Sequence, residues 1–545
     1  VSQQKCRGIN QKEFFVFDNT TQTLGLLFYL APAMLAAVSL SVWLWPHLPP
    51  LRLFRFAQAA TIFALILSLL ATTSMLAWGP FTTPLVGFNN IGFAIRLDAL
   101  SVIMFWLVAA IGLLVVHFSR NYLDGDPGQA RFFGQLCLTI SAVLLFVLAG
   151  NLLQLVVAWI STSLGLHQLL LFYDNRRGAV LAARKKFIAA RLSDICLTVA
   201  AVLLVQAFGT GDLKTLSALA GSALSNGTLP VGISVATVLV VTAAALKSAM
   251  FPLHGWLLEV METPTPVSAL LHAGLLNAGT FLIVRLGEVI FLFPPALQLL
   301  ILVGGFTALF ASVAMITQSS VKVSLAYSSA AHMGFMLMLC GFGAHSVAIM
   351  HLVAHSFYKA HAFLSSGSVV EYIQATGGYK GGGYKEKSAP RPLVVLAALA
   401  LSIMLFVGIG TMLGIDLTKR PGETALGVIF TLATTALLAK GFNGTPHRTV
   451  IVRTTFAAIA VTFAFFTLEV VGAWLLTDAV TTSSPADAVT LTVMGIAVVL
   501  FVLVTLLYTF LPAIAETAAG RAMYVHLKHG FYANTLLDRL IGAWR

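Results

Sequence analysis

The sequence predicts an all-α polytopic membrane protein of about fifteen transmembrane helices, and three observations predict it. Of the 545 residues, 58% are hydrophobic and only 10% are charged, whereas a soluble domain carries roughly 25% charge. Apolar runs of about 20 residues, the length that crosses a bilayer, recur along the chain. These runs lack the ten-residue alternation of a membrane β-barrel.

The runs lie at 23–45, 56–78, 98–117, 132–149, 152–173, 191–208, 232–251 and 264–285, then at 296–316, 322–343, 346–370, 393–412, 423–441, 451–476 and 487–512. Residues 1–22 are polar and mixed in charge, unlike a cleavable signal peptide, so the first run reads as a retained span. Lys and Arg concentrate after the odd-numbered spans. They are densest at Arg176, Arg177, Arg184, Lys185 and Lys186, and at Lys380, Lys385, Lys387 and Arg391. The positive-inside rule then puts the N-terminus outside and the C-terminus in the cytoplasm. Gly377–Gly383, with five glycines, reads as a flexible cytoplasmic loop. Tyr524 to Trp544 is weakly amphipathic, suited to the membrane surface or a partner, with a solvated helix end as the alternative.

The net charge of +12 belongs to these cytoplasmic loops. Nucleic-acid binding is excluded, since no basic stretch is long or interleaved with stacking aromatics. Cys6, Cys137, Cys196 and Cys340 form no CxxC pair, so there is no zinc or iron–sulfur signature, and no cofactor is expected.

Charge inside hydrocarbon costs about 2.5–3.5 kcal/mol per residue on insertion scales, so each intramembrane ionisable group needs an account. Lys247 precedes Pro252, where the helix must break because proline lacks an N–H and clashes with the preceding turn. Broken helices at membrane depth line wet cavities. The competing reading is a lysine snorkelling to the interface.

His351, His355 and Lys359 recur every four residues, so successive members turn by only about 40° and form one polar stripe. Histidine passes protons through its two nitrogens, and rows of such groups mark proton relays. A metal site is the competing reading. His351 and His355 have HxxxH spacing, but Leu352 stands where zinc proteases carry glutamate, and no third ligand is evident. His361 lies on another face.

His272 follows a second broken element, Pro264-Thr265-Pro266, and shares its helix with Asn277. Lys322 and His332 bracket the start of the tenth span, and His254 lies just past Pro252. Asp194 follows Arg191 by three residues and either joins the path or simply pairs with that arginine. Together these groups describe a polar path along the membrane's middle plane.

Lys247-Ser248-Ala249, Pro252-Leu253, Trp256 and Pro264-Thr-Pro-Val-Ser-Ala-Leu-Leu-His272-Ala carry a family pattern. So do Lys322 through Ala326-Tyr327-Ser328, His351-Leu-Val-Ala-His355-Ser-Phe-Tyr-Lys359-Ala and Ser366-Gly367-Ser368. They resemble the signature of the antiporter-like subunits of respiratory complex I and the Mrp cation antiporters, over roughly residues 90–370. The resemblance implies two inverted five-helix repeats, each with a discontinuous helix. It also implies a proton path through Lys247, His272, Lys322, His351, His355 and Lys359.

On that plan the chain divides into a polar segment (1–22), N-terminal spans (23–130), a first repeat (131–292) and a second (293–445). C-terminal spans (446–515) and a cytoplasmic tail (516–545) follow. Two departures stand out. The family carries glutamate after a tryptophan on its fifth helix, but here Ile160 follows Trp159. His167, nearly on the same face about 10 Å along the helix, is the expected substitute. The family's later channel lysine has no counterpart in 393–412, which leaves Lys440 as a loose candidate.

His272-Ala-Gly-Leu-Leu-Asn277-Ala-Gly and the ending Gly530-Phe-Tyr-Ala-Asn534 through Asp538-Arg539-Leu540 resemble the DabB branch of that family. Its members are the membrane subunits of inorganic carbon accumulation complexes in autotrophic and other bacteria. The resemblance implies a bacterial inner-membrane location and a DabA-like cytoplasmic zinc protein, similar to carbonic anhydrase, as partner. That partner would convert carbon dioxide to bicarbonate, made one-way by cation flow through this chain. The chain itself is then no enzyme, and it offers no zinc-ligand set of suitable spacing. Its other partners are membrane lipid and H⁺ (or Na⁺), and the titratable groups favour H⁺. Two alternatives stay open: a proton-pumping subunit of complex I or an Mrp-type Na⁺/H⁺ antiporter, and a non-conducting membrane anchor.

Overall fold

Segments that live in hydrocarbon fold as helices, because each backbone N–H and C=O must find its partner within the segment. The computed structural model describes residues 23–88, 91–368, 390–415, 420–443, 447–477, 479–480 and 487–542. Residues 1–22 with Cys6, the stretch Gly377–Gly383 with Lys380, Lys385 and Lys387, and Trp544 lie outside these ranges. Among the described residues, thirteen helices are long and apolar enough to cross a membrane. Two other expected spans are helices as well: Ile233–Lys247 is short at 15 residues, and His345–Leu364 is diluted by its histidines and lysine.

The chain divides into two compact units, residues 1–180 with 190–240 and residues 181–189 with 241–545. The helices of the first stretch are α1 (Leu30–Leu44), α2 (Pro50–Trp78), α3 (Ala99–Tyr122), α4 (Gln129–Val147) and α5 (Leu152–Leu170). After them come α6 (Arg177–Phe208), α7 (Leu213–Ser225) and α8 (Ile233–Lys247). Between α2 and α3 the chain makes two short antiparallel pairs, β1 (Phe81–Thr82) with β4 (Arg96–Leu97) and β2 (Val86–Phe88) with β3 (Ile91–Phe93). Gln154 of α5 secures them, since its Oε1 accepts from Ala94 N at 3.0 Å and from the Tyr29 hydroxyl at 2.7 Å.

The span expected at 191–208 needs correcting. Helix α6 begins at Arg177 and takes in Arg184, Lys185 and Lys186, the last two buried. Alanine, arginine and lysine are strong helix formers, and hydropathy registers only the apolar end of such a helix.

The second stretch continues with α9 (Gly255–Glu259), α10 (Thr265–Ala273), α11 (Ala278–Arg285), α12 (Gly287–Phe291), α13 (Pro294–Ile316), α14 (Val321–Gly341) and α15 (His345–Leu364). It ends with α16 (Pro392–Met412), α17 (Pro421–Phe442), α18 (Arg448–Leu475), α19 (Ala488–Thr509), α20 (Leu511–Ala515), α21 (Ala518–Lys528) and α22 (Ala533–Gly542). The span Thr265–Arg285 is 94% buried, against 17–22% for α16, α18 and α19, so the core of this unit surrounds α10 and α11.

Two breaks shape that core. Helix α8 stops at Lys247, and Ala249 takes a positive φ of 54°, a conformation costing an L-residue roughly 1–2 kcal/mol. The second break falls at Gly274, between α10 and the 3-10 turn Leu275–Asn277. The interruption expected at Pro264-Thr265-Pro266 is present too, with Thr263 and Pro264 extended between the 3-10 turn Val260–Glu262 and α10. The prolines open α10, where a missing N–H costs nothing. His272 and Asn277 therefore stand on opposite sides of a break rather than on one helix. Among the described residues, helices α13 to α17 run unbroken, with prolines only in their first turns.

Helices α13 and α14 cross at backbone contact. A Cβ on Gly304 would lie 2.6 Å from Gly334 O, and one on Gly334 would lie 2.6 Å from Gly304 O. Small residues permit such approaches between membrane helices. Gly334→Leu is expected to cost about 1–3 kcal/mol by overpacking and to lower the melting temperature of the detergent-solubilised protein. An unchanged melting temperature would show that the crossing is dispensable.

Candidate functional site

Helix α15 carries the expected stripe. Lys359 is fully buried, and its Nζ donates to Leu325 O of α14 at 3.0 Å. His332 of α14 joins the stripe between the other two histidines. Its Nδ1 lies 3.0 Å from Nε2 of His351, so one ring donates and the other accepts. Its ring centroid is 4.8 Å from that of His355, whereas His351 and His355 are 6.4 Å apart. His272, also fully buried, stacks on Phe363 at 4.3 Å between centroids, one turn beyond Lys359. From His351 to Phe363 the row covers roughly 18 Å of α15.

Both ring nitrogens of His272 and of His355 lack a hydrogen-bond partner among the described residues. Buried polar atoms of this kind are normally satisfied by ordered water. Among the described residues, no group of three or more His, Cys, Asp or Glu could hold a metal ion.

The two helix breaks meet beside this row. Ser248, next to Lys247, donates its Oγ to Leu276 O at 3.2 Å. Gly279 packs so closely on Ser248 and Ala244 that any side chain there would collide. One residue beyond Leu276, Asn277 donates from Nδ2 to Ser356 Oγ at 2.8 Å, and Ser356 follows His355 on α15. Hydrogen bonds thus tie the end of α8 to the break after α10 through Ser248 and Leu276, and that break to α15 through Asn277 and Ser356. Ser356 was missed in the sequence, because buried serines are too common to signal a role.

Other expected members lie elsewhere. Lys322 stands at the start of α14 and bonds Thr265 Oγ1 at 3.3 Å. His254 is buried in an aromatic group of Phe251, Phe310 and Tyr327, its ring 5.3 Å from that of Phe310. Lys440 is exposed, bonded to the Tyr508 hydroxyl at 2.5 Å and 4.0 Å above that ring. In the first unit, Asp194 pairs with Arg191 at 2.6 Å, the simpler of its two readings. His167 and Trp159 belong to α5 of that unit, with Trp159 fully buried.

One intramembrane charge escaped the sequence reading. Glu469 of α18 lines a cavity of about 450 Å³ shared with Glu423, Thr431 and Phe406, and Arg420 pairs with Glu423 at 2.7 Å. A lone carboxylate inside the run 451–476 was the signal available.

The chain matches the family described as NADH:quinone oxidoreductase/Mrp antiporter, TM, over residues 149–404. It also matches NADH-Ubiquinone oxidoreductase (complex I), chain 5 N-terminus, over residues 85–133. It is 36% identical over 488 residues to the probable inorganic carbon transporter subunit DabB2 of Halothiobacillus neapolitanus, covering 89% of this chain and 86% of that protein. To the probable inorganic carbon transporter subunit DabB of Hydrogenovibrio crunogenus it is 42% identical over 278 residues, 51% of this chain and 53% of the relative. Among solved structures, one from the Mrp complex of Dietzia sp. shares the fold with a TM-score of 0.62 and 22% identity, over 95% of this chain and 59% of that one. Fold and site define an antiporter-like membrane subunit of the cation-conducting class. The chain belongs to the antiporter-like family of complex I and Mrp subunits, and within it to the DabB branch of inorganic carbon transporter subunits.

Proposed function

We propose that this protein conducts protons through the bacterial inner membrane to energise inorganic carbon accumulation by a DabA-like cytoplasmic zinc partner. Lys247, His272, His332, His351, His355 and Lys359 serve as its proton carriers. The carrying observation is the row of buried Lys359 and His355 with His332 and His351 on α14 and α15, and His272 of α10 stacked on Phe363 at its end. Rows of titratable groups facing a bundle interior are the usual form of a proton relay. Carbonic-anhydrase-like chemistry is assigned to the partner, and this chain supplies the one-way drive.

Contacts at one end of the second unit agree with the expected alternation of the spans. Lys185, Glu259, Gln318 and the tail follow odd-numbered spans, and all touch: Lys185 bonds Glu259 and Asn534, and Gln318 Nε2 donates to Lys528 O at 3.3 Å. These segments therefore share one side, the cytoplasmic side in this reading.

The test combines isolation and transport. Gentle extraction is expected to recover a zinc-containing, carbonic-anhydrase-like chain with this one. The double variant His351→Ala/His355→Ala is expected to retain that partner but lose uncoupler-sensitive carbon uptake. Recovery of quinone-reductase subunits instead would assign the chain to complex I. Normal uptake by the double variant would leave the anchor reading standing.

A further inference from the structure

The C-terminal tail folds back onto the broken helix. Gly530, Phe531 and Tyr532 all take positive φ (57°, 49° and 62°), an uncommon run for non-glycine residues that persists only where surrounding contacts hold it. Those contacts are present. Gly530 sits against the Tyr327 hydroxyl, where a Cβ would come within 2.8 Å, and the Phe531 ring lies 6.1 Å from that of Phe310. The same two aromatics enclose His254, in the segment linking α8 to α9.

One turn further, α22 meets α9 through a buried charge. Lys185 of α6, 3% exposed, pairs with Glu259 at 2.5 Å and with Asp538. Its Nζ also donates to Asn534 Oδ1 at 2.8 Å, while Asn534 Nδ2 donates to Glu259 Oε1 at 2.8 Å. Gly255, at the start of α9, leaves room for Asn534 and for nothing larger than hydrogen. A charge removed from water in this way is costly unless fully paired, so the cluster is held together or not at all.

We propose that Gly530–Asp538 is a clasp that fixes α9 and the α8–α9 break in the conducting geometry. Lys185, Glu259, Asn534 and Asp538 act as positioning residues for Lys247 at the end of α8. The inference rests on the proton-path reading, yet the two fail separately. Without Lys185 the Glu259 and Asp538 carboxylates face each other uncompensated and repel the tail. Without Asn534 the amide link between α22 and α9 is lost while the ion pairs remain.

The full chain with its partner, reconstituted in liposomes, tests this by two readouts: hydrogen exchange of amides 533–542 and proton flux per inserted molecule. Lys185→Met is expected to speed exchange of those amides at least tenfold and to lower flux at least tenfold. Asn534→Ala, a milder change, is expected to do both in smaller measure. Lys185→Arg, which keeps the charge, should restore both, and a merely structural lysine would change the inserted amount instead of flux per molecule. If Lys185→Met fails to insert, Asn534→Ala decides alone. A freed tail with flux unchanged overturns the clasp while leaving the path intact. Normal flux in His351→Ala/His355→Ala overturns the path itself.

Discussion

Lys359→Met is expected to abolish proton flux and carbon uptake while the chain still folds and inserts. Methionine keeps nearly the same length and volume. Replacing a buried charge by a well-packed apolar group is often neutral or stabilising for the fold. The carbonyl left behind, Leu325 O, still accepts from Ser329 Oγ at 3.1 Å. What disappears is the proposed carrier between His355 and His272, and removing a positioned proton-transfer group typically costs about a hundredfold or more.

Lys359→Arg sharpens this prediction. Arginine retains the positive charge but does not release its proton in proteins. If Lys359 carries protons, arginine fails nearly as badly as methionine. If the lysine only supplies a fixed charge, arginine supports normal flux, and the carrier role is lost. Dye-reported proton uptake into liposomes, normalised to inserted protein, makes the comparison.

The stripe was legible because its signal is local. His351, His355 and Lys359 need only the four-residue period of one helix to share a face. His332 gives no such signal. It reaches His351 because α14 packs against α15. Packing of that kind is invisible in hydropathy. The interruptions at Pro252 and at Pro264-Thr265-Pro266 were expected, but the further break at Gly274 was not. Prolines mark an interruption in the sequence, whereas Gly274, one glycine in an apolar run, looked unremarkable. The buried Lys185 shows a further limit. Counted among loop charges for topology, it pairs with acids distant in sequence, and nothing local in Arg184-Lys185-Lys186 announces them.

The junction between the two breaks yields the second large effect. Asn277→Leu is expected to lower flux at least tenfold while the chain still inserts, since leucine keeps the heavy-atom count and Cγ branching of asparagine. Asn277 is fully buried and spans the gap, donating to Ala273 O at 2.9 Å and to Ser356 Oγ at 2.8 Å. Ser356 Oγ donates to Leu352 O at 2.8 Å, a bond that only supplements the backbone ladder of the helix, so Ser356→Ala should leave α15 intact and lower flux by a similar factor. Because each change cuts the same link, the double variant should be little worse than either single one. Residues joined in one hydrogen-bond network commonly couple by about 0.5–3 kcal/mol in such a cycle. Strictly multiplicative losses would mean that the amide and the hydroxyl act independently. The proposed passage from Lys247 to the α15 row would then have to bypass Asn277.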